Sequence, residues 1–161
     1  MPDRPEHAPT VPPRATTLRM QGLANALTRT LLATPLLARV VGRRLVTLYV
    51  VGRRTGRRLT IPVAYTRDGD ALLVGTPFAW GRNLHSGEPL EVRFQGRRAT
   101  ADVEVFTAEA DVVRLYAVMA RDNPQFASFN RIARTPTGEP DQQDLHLAWA
   151  AGARAFRITV R

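Results

Sequence analysis

The sequence predicts an α+β domain that is mainly β, a small antiparallel barrel with helices packed on its outside. Short runs of β-branched residues are joined by hairpin turns, and no strand–helix–strand unit repeats, which disfavours a doubly wound parallel sheet. The chain has 161 residues, of which 44% are hydrophobic. A chain of this length and composition forms one domain with a substantial core.

The N-terminal part differs from the rest of the chain. Residues 1–17 contain five prolines and few apolar residues, so they cannot offset the entropy of becoming ordered. From Leu18 onward, apolar residues recur in steps of three and four, a helical stripe that Pro35 interrupts and that ends near Gly42. The stripe contains Met20, Leu23, Ala24, Leu27 and Leu31. We therefore expect a disordered tail over residues 1–17 and a single domain over residues 18–161 that begins with a helix.

Three strands are predicted next. Residues 45–51, with the sequence LVTLYVV, are rich in β-branched residues. The second strand covers residues 59–66, where Pro62 favours the edge of a sheet or a bulge because proline lacks the N–H of a strand. An Asp-Gly pair within residues 67–70 predicts a type I′ hairpin turn, which leads into the third strand at residues 71–76.

The middle of the chain predicts one short helix and one further hairpin. Residues 79–86 have the pattern of a short helix closed by Gly87. Two more strands, residues 90–95 and 99–106, are expected to pair around a turn at residues 96–98. The barrel would then contain about six strands in all.

The C-terminal part predicts helices and a last strand. Thr107 is expected to cap a helix that Asn123 and Pro124 end. The buried stripe of this helix would be Val112, Leu115, Tyr116 and Met119. A further helix is expected over residues 141–151, and residues 155–160 alternate like a strand.

Composition and missing motifs exclude several kinds of site. Cysteine is absent, which excludes disulfides, thiolate zinc sites and a cysteine nucleophile. The three histidines, His7, His85 and His146, lie far apart, so no metal site is expected. The patterns GxSxG and GxGxxG do not occur, so neither an α/β-hydrolase nor a Rossmann site is predicted. His85 near Glu88 suits acid–base chemistry, although a surface role is more usual for a lone loop histidine.

The expected location is cytoplasmic. No apolar run reaches the roughly 18 residues of a transmembrane helix, and the chain does not open with a signal-peptide pattern. The net charge of +9 comes from arginine alone, which is typical of a GC-rich coding sequence, so the positions of the arginine clusters tell more than the total. With only 7% aromatic residues, no stacking platform for nucleic acid is expected.

The first candidate site is the segment Gly52–Arg58, with the sequence GRRTGRR. Its glycines allow the backbone to bend, and four arginines within six positions supply donors for phosphate or carboxylate groups. It is not a P-loop, because the GK[ST] ending is missing. The alternative is a solvated hairpin tip.

The second candidate site runs from Gly75 to Leu84. A strand end leads here into a helix start, where Thr76 offers a hydroxyl, Trp80 could wall a flat ring and Asn83 lies one turn further on. The alternative is a tryptophan that plugs the barrel and an asparagine that satisfies the backbone. The aromatic residues further along the chain fit core packing first and a substrate pocket second.

The stretch LVTLYVVGRRTGRRLTIPVAYTRDGDALLVGT, followed by WGRNL, resembles the deazaflavin-dependent nitroreductase family. These are split β-barrel oxidoreductases of actinobacteria, with an FMN-binding-like fold, that use coenzyme F420. The resemblance is clearest over residues 35–105. It implies a hydride transfer from the reduced deazaflavin to a conjugated acceptor, a quinone, a nitroaromatic or an enone. Because the cofactor carries the chemistry, no residue of the chain is assigned as catalytic.

The resemblance also implies which residues bind the cofactor. The turn would hold its phosphate and acidic tail, and the following strand and the strand-to-helix segment would contact the ring. These residues are Arg53, Arg54, Thr55, Gly56, Arg58, Pro62, Gly75, Thr76, Pro77, Trp80 and Asn83. Between Thr76 and Trp80 the loop is shorter than in better-known members and holds Phe78 instead of a Lys and a His. The expected substrate pocket consists of Tyr65, Phe78, Tyr116, Phe126 and Phe129.

Other functions stay open at this point. The same barrel could be a non-catalytic binding protein for a flavin, haem or a fatty acid, or an FMN-dependent reductase. The N-terminal helix could rest on the inner face of an anionic membrane through its arginines, or pack on the barrel or on the second subunit of a homodimer. Those arginines are Arg19, Arg29, Arg39, Arg43 and Arg44.

Overall fold

A computed structural model describes residues 44–161 of the chain. It contains one antiparallel sheet of seven strands in the order β2-β1-β5-β6-β7-β4-β3. The strands are β1 (Leu45–Val51), β2 (Arg58–Ala64), β3 (Thr66–Asp68), β4 (Ala71–Thr76), β5 (Leu90–Phe94), β6 (Arg97–Phe106) and β7 (Arg154–Val160). A 3₁₀ helix (Ala79–Asn83) follows β4. The α-helices are α1 (Glu109–Asp122), α2 (Pro124–Phe129) and α3 (Gln142–Ala150).

The sheet curls into a half-barrel. Three strands separate β1 from β4 in the sheet, yet Val46 and Leu48 of β1 lie in the same buried cluster as Leu72 and Val74 of β4. The inward side chains of the three strands between them belong to the same cluster, so one continuous core fills the curled sheet. The predicted split β-barrel is therefore confirmed. It has seven strands rather than about six, because the predicted strand 59–66 divides at Tyr65 into β2 and β3.

The sheet separates two apolar cores. The barrel core contains the inward side chains of β1, β4, β5, β6 and β7. On the other face, Leu73 of β4 and Ala155 of β7 pack against the helices. The predicted stripe of α1 is confirmed there, since Val112, Leu115, Tyr116 and Met119 are all buried. The alternation along β4 thus assigns successive residues to different cores.

The turn types differ from the expectation in two hairpins. Between β3 and β4 only Gly69 has a positive φ, 60°, which fits a type II′ turn rather than the predicted type I′. Between β5 and β6 the turn residues are Gln95 and Gly96, with φ of 49° and 80°. This turn has the two positive φ angles of type I′, and it lies one residue earlier than predicted. The predicted edge position of Pro62 is confirmed, because β2 is the first strand of the sheet.

The structure differs from the sequence expectations at the start of α1 and at the end of the short helix after β4. Thr107 does not cap α1: the N-cap is Ala108, which makes no side-chain cap bond, and the carbonyl of Thr107 accepts a hydrogen bond from Trp149 Nε1 instead. The short helix after β4 ends at Asn83 rather than at residue 86. The expected tail, the N-terminal helix and its arginines up to Arg43 lie outside the described residues. Among the described helices, none is long and apolar enough to span a membrane.

Helix α2 ends in a Schellman motif with a strained residue. The N–H of Ile132 donates to the carbonyl of Ala127 at 2.8 Å, and the N–H of Arg131 donates to that of Ser128 at 3.1 Å. Ala127 and Ile132 are both buried, which is the apolar contact of this motif. Arg131 has a φ of 57°, a left-handed conformation that costs a non-glycine residue about 1 kcal/mol.

We therefore predict that Arg131→Gly stabilises the protein by about 0.5–1 kcal/mol, because glycine adopts this conformation without the Cβ clash. The measurement is the free energy of unfolding in urea. Arg131→Ala is the control, since it removes the same guanidinium but keeps the Cβ. Equal stability of the two variants would contradict the assignment of strain to the Cβ.

Asp122 connects α1 to the start of β1 and to β3. Its carboxylate accepts hydrogen bonds from Arg44 Nη1 at 2.6 and 2.8 Å and from Thr66 Oγ1 at 2.9 Å. Burial raises the pKa of Asp122, but the hydrogen bonds from Arg44 and Thr66 and the charge of Arg44 outweigh burial and hold the pKa below its usual value. The N–H of Tyr65 also donates to the carbonyl of Arg44 at 3.2 Å. These contacts join the two ends of the curled sheet to the helical layer.

We predict that Asp122→Asn lowers the melting temperature at neutral pH by roughly 2–4 °C. A carboxylate with a depressed pKa stabilises the fold above its unfolded-state pKa, about 3.9 for Asp, and this contribution is lost as pH falls through the folded-state value. The gap between wild type and variant should therefore shrink below about pH 4 in thermal scans. Asp70→Asn is the control, because Asp70 forms no ion pair within residues 44–161. A gap that is independent of pH would refute the ionic role of Asp122.

Candidate functional site

The arginine-rich turn between β1 and β2 is closed by backbone hydrogen bonds. The N–H of Gly52 donates to the carbonyl of Arg57 at 2.8 Å, and the N–H of Gly56 donates to the carbonyl of Gly52 at 2.7 Å. Gly56 has a φ of 64°, which explains the glycine at this position. Thr55 Oγ1 accepts a hydrogen bond from the N–H of Arg57 at 3.3 Å. The turn is thus a defined platform that carries exposed guanidinium groups.

The four arginines of this turn have different partners. Arg53 forms an ion pair with Glu88 at 2.9 Å, and Arg58 pairs with Glu91. Within residues 44–161, neither Arg54 nor Arg57 forms an ion pair, although both are exposed. These two guanidinium groups are therefore the ones with free donors for an anionic ligand. Arg57 belongs to the first candidate segment, but the residues that the resemblance assigned to the cofactor did not include it.

Asn83 connects this turn to the 3₁₀ helix. Its Oδ1 accepts a hydrogen bond from the backbone N–H of Arg53 at 3.1 Å. Its Nδ2 donates to the carbonyl of Trp80 at 3.0 Å. The structure thus brings together three residues of the predicted cofactor set, from two segments that are about 30 positions apart. Because both ends of the amide are engaged inside the protein, Asn83 holds the two segments in place.

The 3₁₀ helix packs tightly against the end of β4. Thr76 is buried, and its Oγ1 accepts a hydrogen bond from the N–H of Phe78 at 3.1 Å. A Cβ at Gly81 would lie 2.7 Å from Thr76 Cγ2 and 3.1 Å from the ring of Phe156. Trp80 stacks on Phe156 with ring centroids 6.2 Å apart. Gly81, which the sequence interpretation did not single out, is the residue that permits this close approach.

Aromatic rings cover the same end of β4. Phe78 and Phe129 meet edge to face with centroids 5.8 Å apart, and Phe129 is 47% exposed. Tyr116 and Phe126 form a second pair at 5.0 Å. A Cβ at Gly75 would lie 2.9 Å from the rings of both Phe126 and Tyr116. The predicted residues Gly75, Phe78, Phe126 and Phe129 therefore share one surface region.

Other predicted residues lie elsewhere. Tyr65 is buried in the barrel core, edge to face with Phe94 at 5.6 Å. Tyr116 is completely buried, its hydroxyl donates to the carbonyl of Arg154 at 3.4 Å, and burial raises the pKa of its phenol. Pro77 is half-buried between Thr76 and Phe78.

Arg58 and Pro62 occupy alternate positions of β2, so they face the same side of the sheet. Their register partners, Val51 and Thr47, flank Tyr49 on that side. The guanidinium of Arg58 lies 5.1 Å from the Tyr49 ring centroid. The intervening residue Ile61 packs instead against the barrel core.

Within the described part of the chain, no three His, Asp or Glu side chains lie close enough together to hold a metal ion. The arrangement instead offers free guanidinium groups at one end and exposed aromatic rings at the other, joined by the segment from Thr76 to Asn83. Such a surface can bind a ligand that has both an anionic part and a flat ring.

Several solved structures are similar to this chain, all at low sequence identity. A candidate 5-nitroimidazole antibiotic resistance protein from Bacteroides thetaiotaomicron has 8% identity, a TM-score of 0.44 and 75% coverage of both chains. A conserved hypothetical protein from Mycobacterium tuberculosis has 12% identity, a TM-score of 0.45 and 76% coverage of both chains. A pyridoxamine 5′-phosphate oxidase-related, FMN-binding protein from Nostoc punctiforme has 13% identity and a TM-score of 0.46, with 86% of this chain and 78% of that chain covered.

Comparison with the curated proteins found no match. The family model described as F420H(2)-dependent quinone reductase matches residues 25–137, more than half of the chain. The matched range contains the arginine-rich turn, the 3₁₀ helix, Phe78 and Phe129. It also confirms the resemblance to deazaflavin-dependent proteins that the sequence indicated. The chain belongs to the F420H(2)-dependent quinone reductase family.

Proposed function

We propose that this F420-dependent oxidoreductase passes a hydride from the reduced cofactor to a flat conjugated acceptor bound against Phe78 and Phe129. A quinone is the first choice of acceptor, and nitroaromatics and enones are the wider class. One observation carries the proposal. A continuous set of contacts joins the arginine-rich turn through Asn83 to Trp80, and through Thr76 to the pair of Phe78 and Phe129.

The residues present fit the cofactor. Its phosphate and acidic tail need cationic donors, and Arg54 and Arg57 have free guanidinium groups beside the backbone of a rigid turn. Its ring needs a flat apolar neighbour, which Trp80 supplies from its stacked position on Phe156. When bound, the reduced deazaflavin supplies the hydride. The arginine-rich turn would hold the tail, and Trp80 would orient the ring.

Phe78 and Phe129 suit the acceptor for two reasons. Phe129 stays 47% exposed and meets the half-buried Phe78, so two apolar rings adjoin at the surface. Its edge-to-face contact with Phe78 leaves ring surface free for a flat ligand. Such stacking holds an acceptor and excludes water, which is what a hydride transfer requires of the protein. Tyr116 is buried against Gly75 and Phe126, so it can only support this surface from beneath, whereas Tyr65 lies in the barrel core.

We predict that Arg54→Ala and Arg57→Ala each weaken binding of oxidised F420 roughly tenfold, the effect of about 1.4 kcal/mol. The measurement is a fluorescence titration, with FMN in parallel. Arg114→Ala is the matched control, because it removes an exposed arginine of α1 that pairs only with Asp111. Equal losses in all three variants would indicate a general charge effect and contradict the assignment. Tight FMN binding without F420 binding would change the cofactor and overturn the proposal.

We predict that Phe129→Ala lowers kcat/KM for a quinone roughly three- to tenfold, because it removes one face of the acceptor surface. F420 affinity should not change. Leu147→Ala is the matched control, since Leu147 is also a large apolar side chain, 54% exposed, but lies on α3. Steady-state kinetics with reduced F420 would refute the acceptor site if Phe129→Ala behaved like Leu147→Ala.

A further inference from the structure

A cavity of about 270 Å³ lies where β1 ends, beside the arginine-rich turn. Its apolar lining includes four buried side chains, Val50, Leu84, Leu90 and Val103. Its polar lining consists of Arg53, Asn83, His85 and Glu88. It contains none of the aromatic residues of the proposed acceptor surface, and it shares only Arg53 and Asn83 with the predicted cofactor set.

The wall of this cavity is held in place by β6. Ser86 Oγ accepts a hydrogen bond from the N–H of Val105 at 2.8 Å, and the N–H of Gly87 donates to the carbonyl of Val103 at 3.1 Å. The N–H of Glu88 donates to the carbonyl of His85 at 3.2 Å, which closes the turn between them. A loop fixed in this way keeps the cavity open without a ligand, as in most small-molecule sites.

The polar groups of the cavity are satisfied with one exception. Asn83 uses both ends of its amide, and Arg53 and Glu88 pair with each other. His85 Nε2 is buried and has no hydrogen-bond partner within residues 44–161. An unpaired buried nitrogen destabilises a protein, so native structures rarely keep one without a reason. A ligand that reached this nitrogen from the cavity would supply the missing partner.

We infer that this cavity binds a small carboxylic acid, with its apolar body against the buried floor and its carboxylate between His85 and Arg53. Both side chains can donate N–H groups to an anion. The competing carboxylate of Glu88 is held only by an ion pair whose partners are more than half exposed, and such pairs contribute little. An amine would have to displace Arg53 from Glu88 and would give His85 no charged partner.

The carboxylate can come from two sources, a free acid or the acidic tail of the cofactor, which the neighbouring arginine-rich turn is proposed to bind. The test uses benzoate and the full chain with ¹⁵N-labelled histidine. His85→Gln identifies the His85 signal among the three histidines. Benzoate should shift the Nε2 resonance of His85 saturably and raise the melting temperature. Benzyl alcohol and benzylamine, of similar size, should bind at least tenfold more weakly.

Two variants separate the site from general effects. His85→Phe keeps an aromatic ring but should weaken benzoate binding at least tenfold, whereas His146→Phe, on the exposed face of α3, should bind like wild type. Glu88→Gln should tighten benzoate binding severalfold, because it releases Arg53. Equal responses to benzoate and benzyl alcohol, or an unchanged affinity in both His85→Phe and Glu88→Gln, would overturn the inference.

A competition experiment distinguishes the sources. If F420 displaces benzoate but the deazaflavin without its phosphate-linked tail does not, the cavity holds a carboxylate of the tail. If benzoate binding is unaffected by F420, the cavity is a site for a free acid. Benzoate binding can be measured whether or not F420 binds elsewhere on the protein. A failure of the proposed function is therefore distinguishable from a failure of the cavity site.

Discussion

The structure depends on the burial of β4 on both faces. Leu72 and Val74 lie in the barrel core, and Leu73 packs against the helices. A strand buried on both sides must be apolar at successive positions, and the run from Ala71 to Val74 meets this requirement. Because both cores hold this strand, its C-terminal end at Gly75 and Thr76 has a fixed position. Every element of the proposed site is attached there directly or through the 3₁₀ helix.

The two glycines beside this strand end show how little room the arrangement leaves. A side chain at Gly75 would meet the rings of α1 and α2, and one at Gly81 would meet Thr76 and Phe156. The helical layer and the 3₁₀ helix therefore approach the strand as closely as the backbone allows. This closeness places the phenylalanines of the acceptor surface beside the segment that leads to Trp80. Close-packed contacts of this kind favour a preformed site over one that assembles on binding.

Local patterns predicted much of this fold, and contacts between distant residues account for most of what they missed. The strands followed from β-branched runs, and the edge position of Pro62 followed from its missing N–H. The arginine-rich turn and the Trp80–Asn83 segment were identified by their residue types. Their connection through the Asn83 amide could not be predicted, because nothing local relates Arg53 to a side chain 30 positions away. The cavity beside His85 is equally non-local, since four separate segments line it.

The distribution of ion pairs changes the meaning of the basic composition. A net charge of +9 suggests a polyanionic partner when it is considered alone. Yet many arginines are neutralised locally: Arg157 binds both Asp68 and Glu104, and Arg161 binds Asp102. Within the arginine-rich turn, Arg53 and Arg58 have carboxylate partners, whereas Arg54 and Arg57 form no ion pair within residues 44–161. An arginine whose guanidinium already has a carboxylate partner must lose it before it can bind a ligand, whereas a free one loses only water. If this surface binds an anion as proposed, its specificity rests on which arginines have no carboxylate partner within residues 44–161, and not on how many arginines it has.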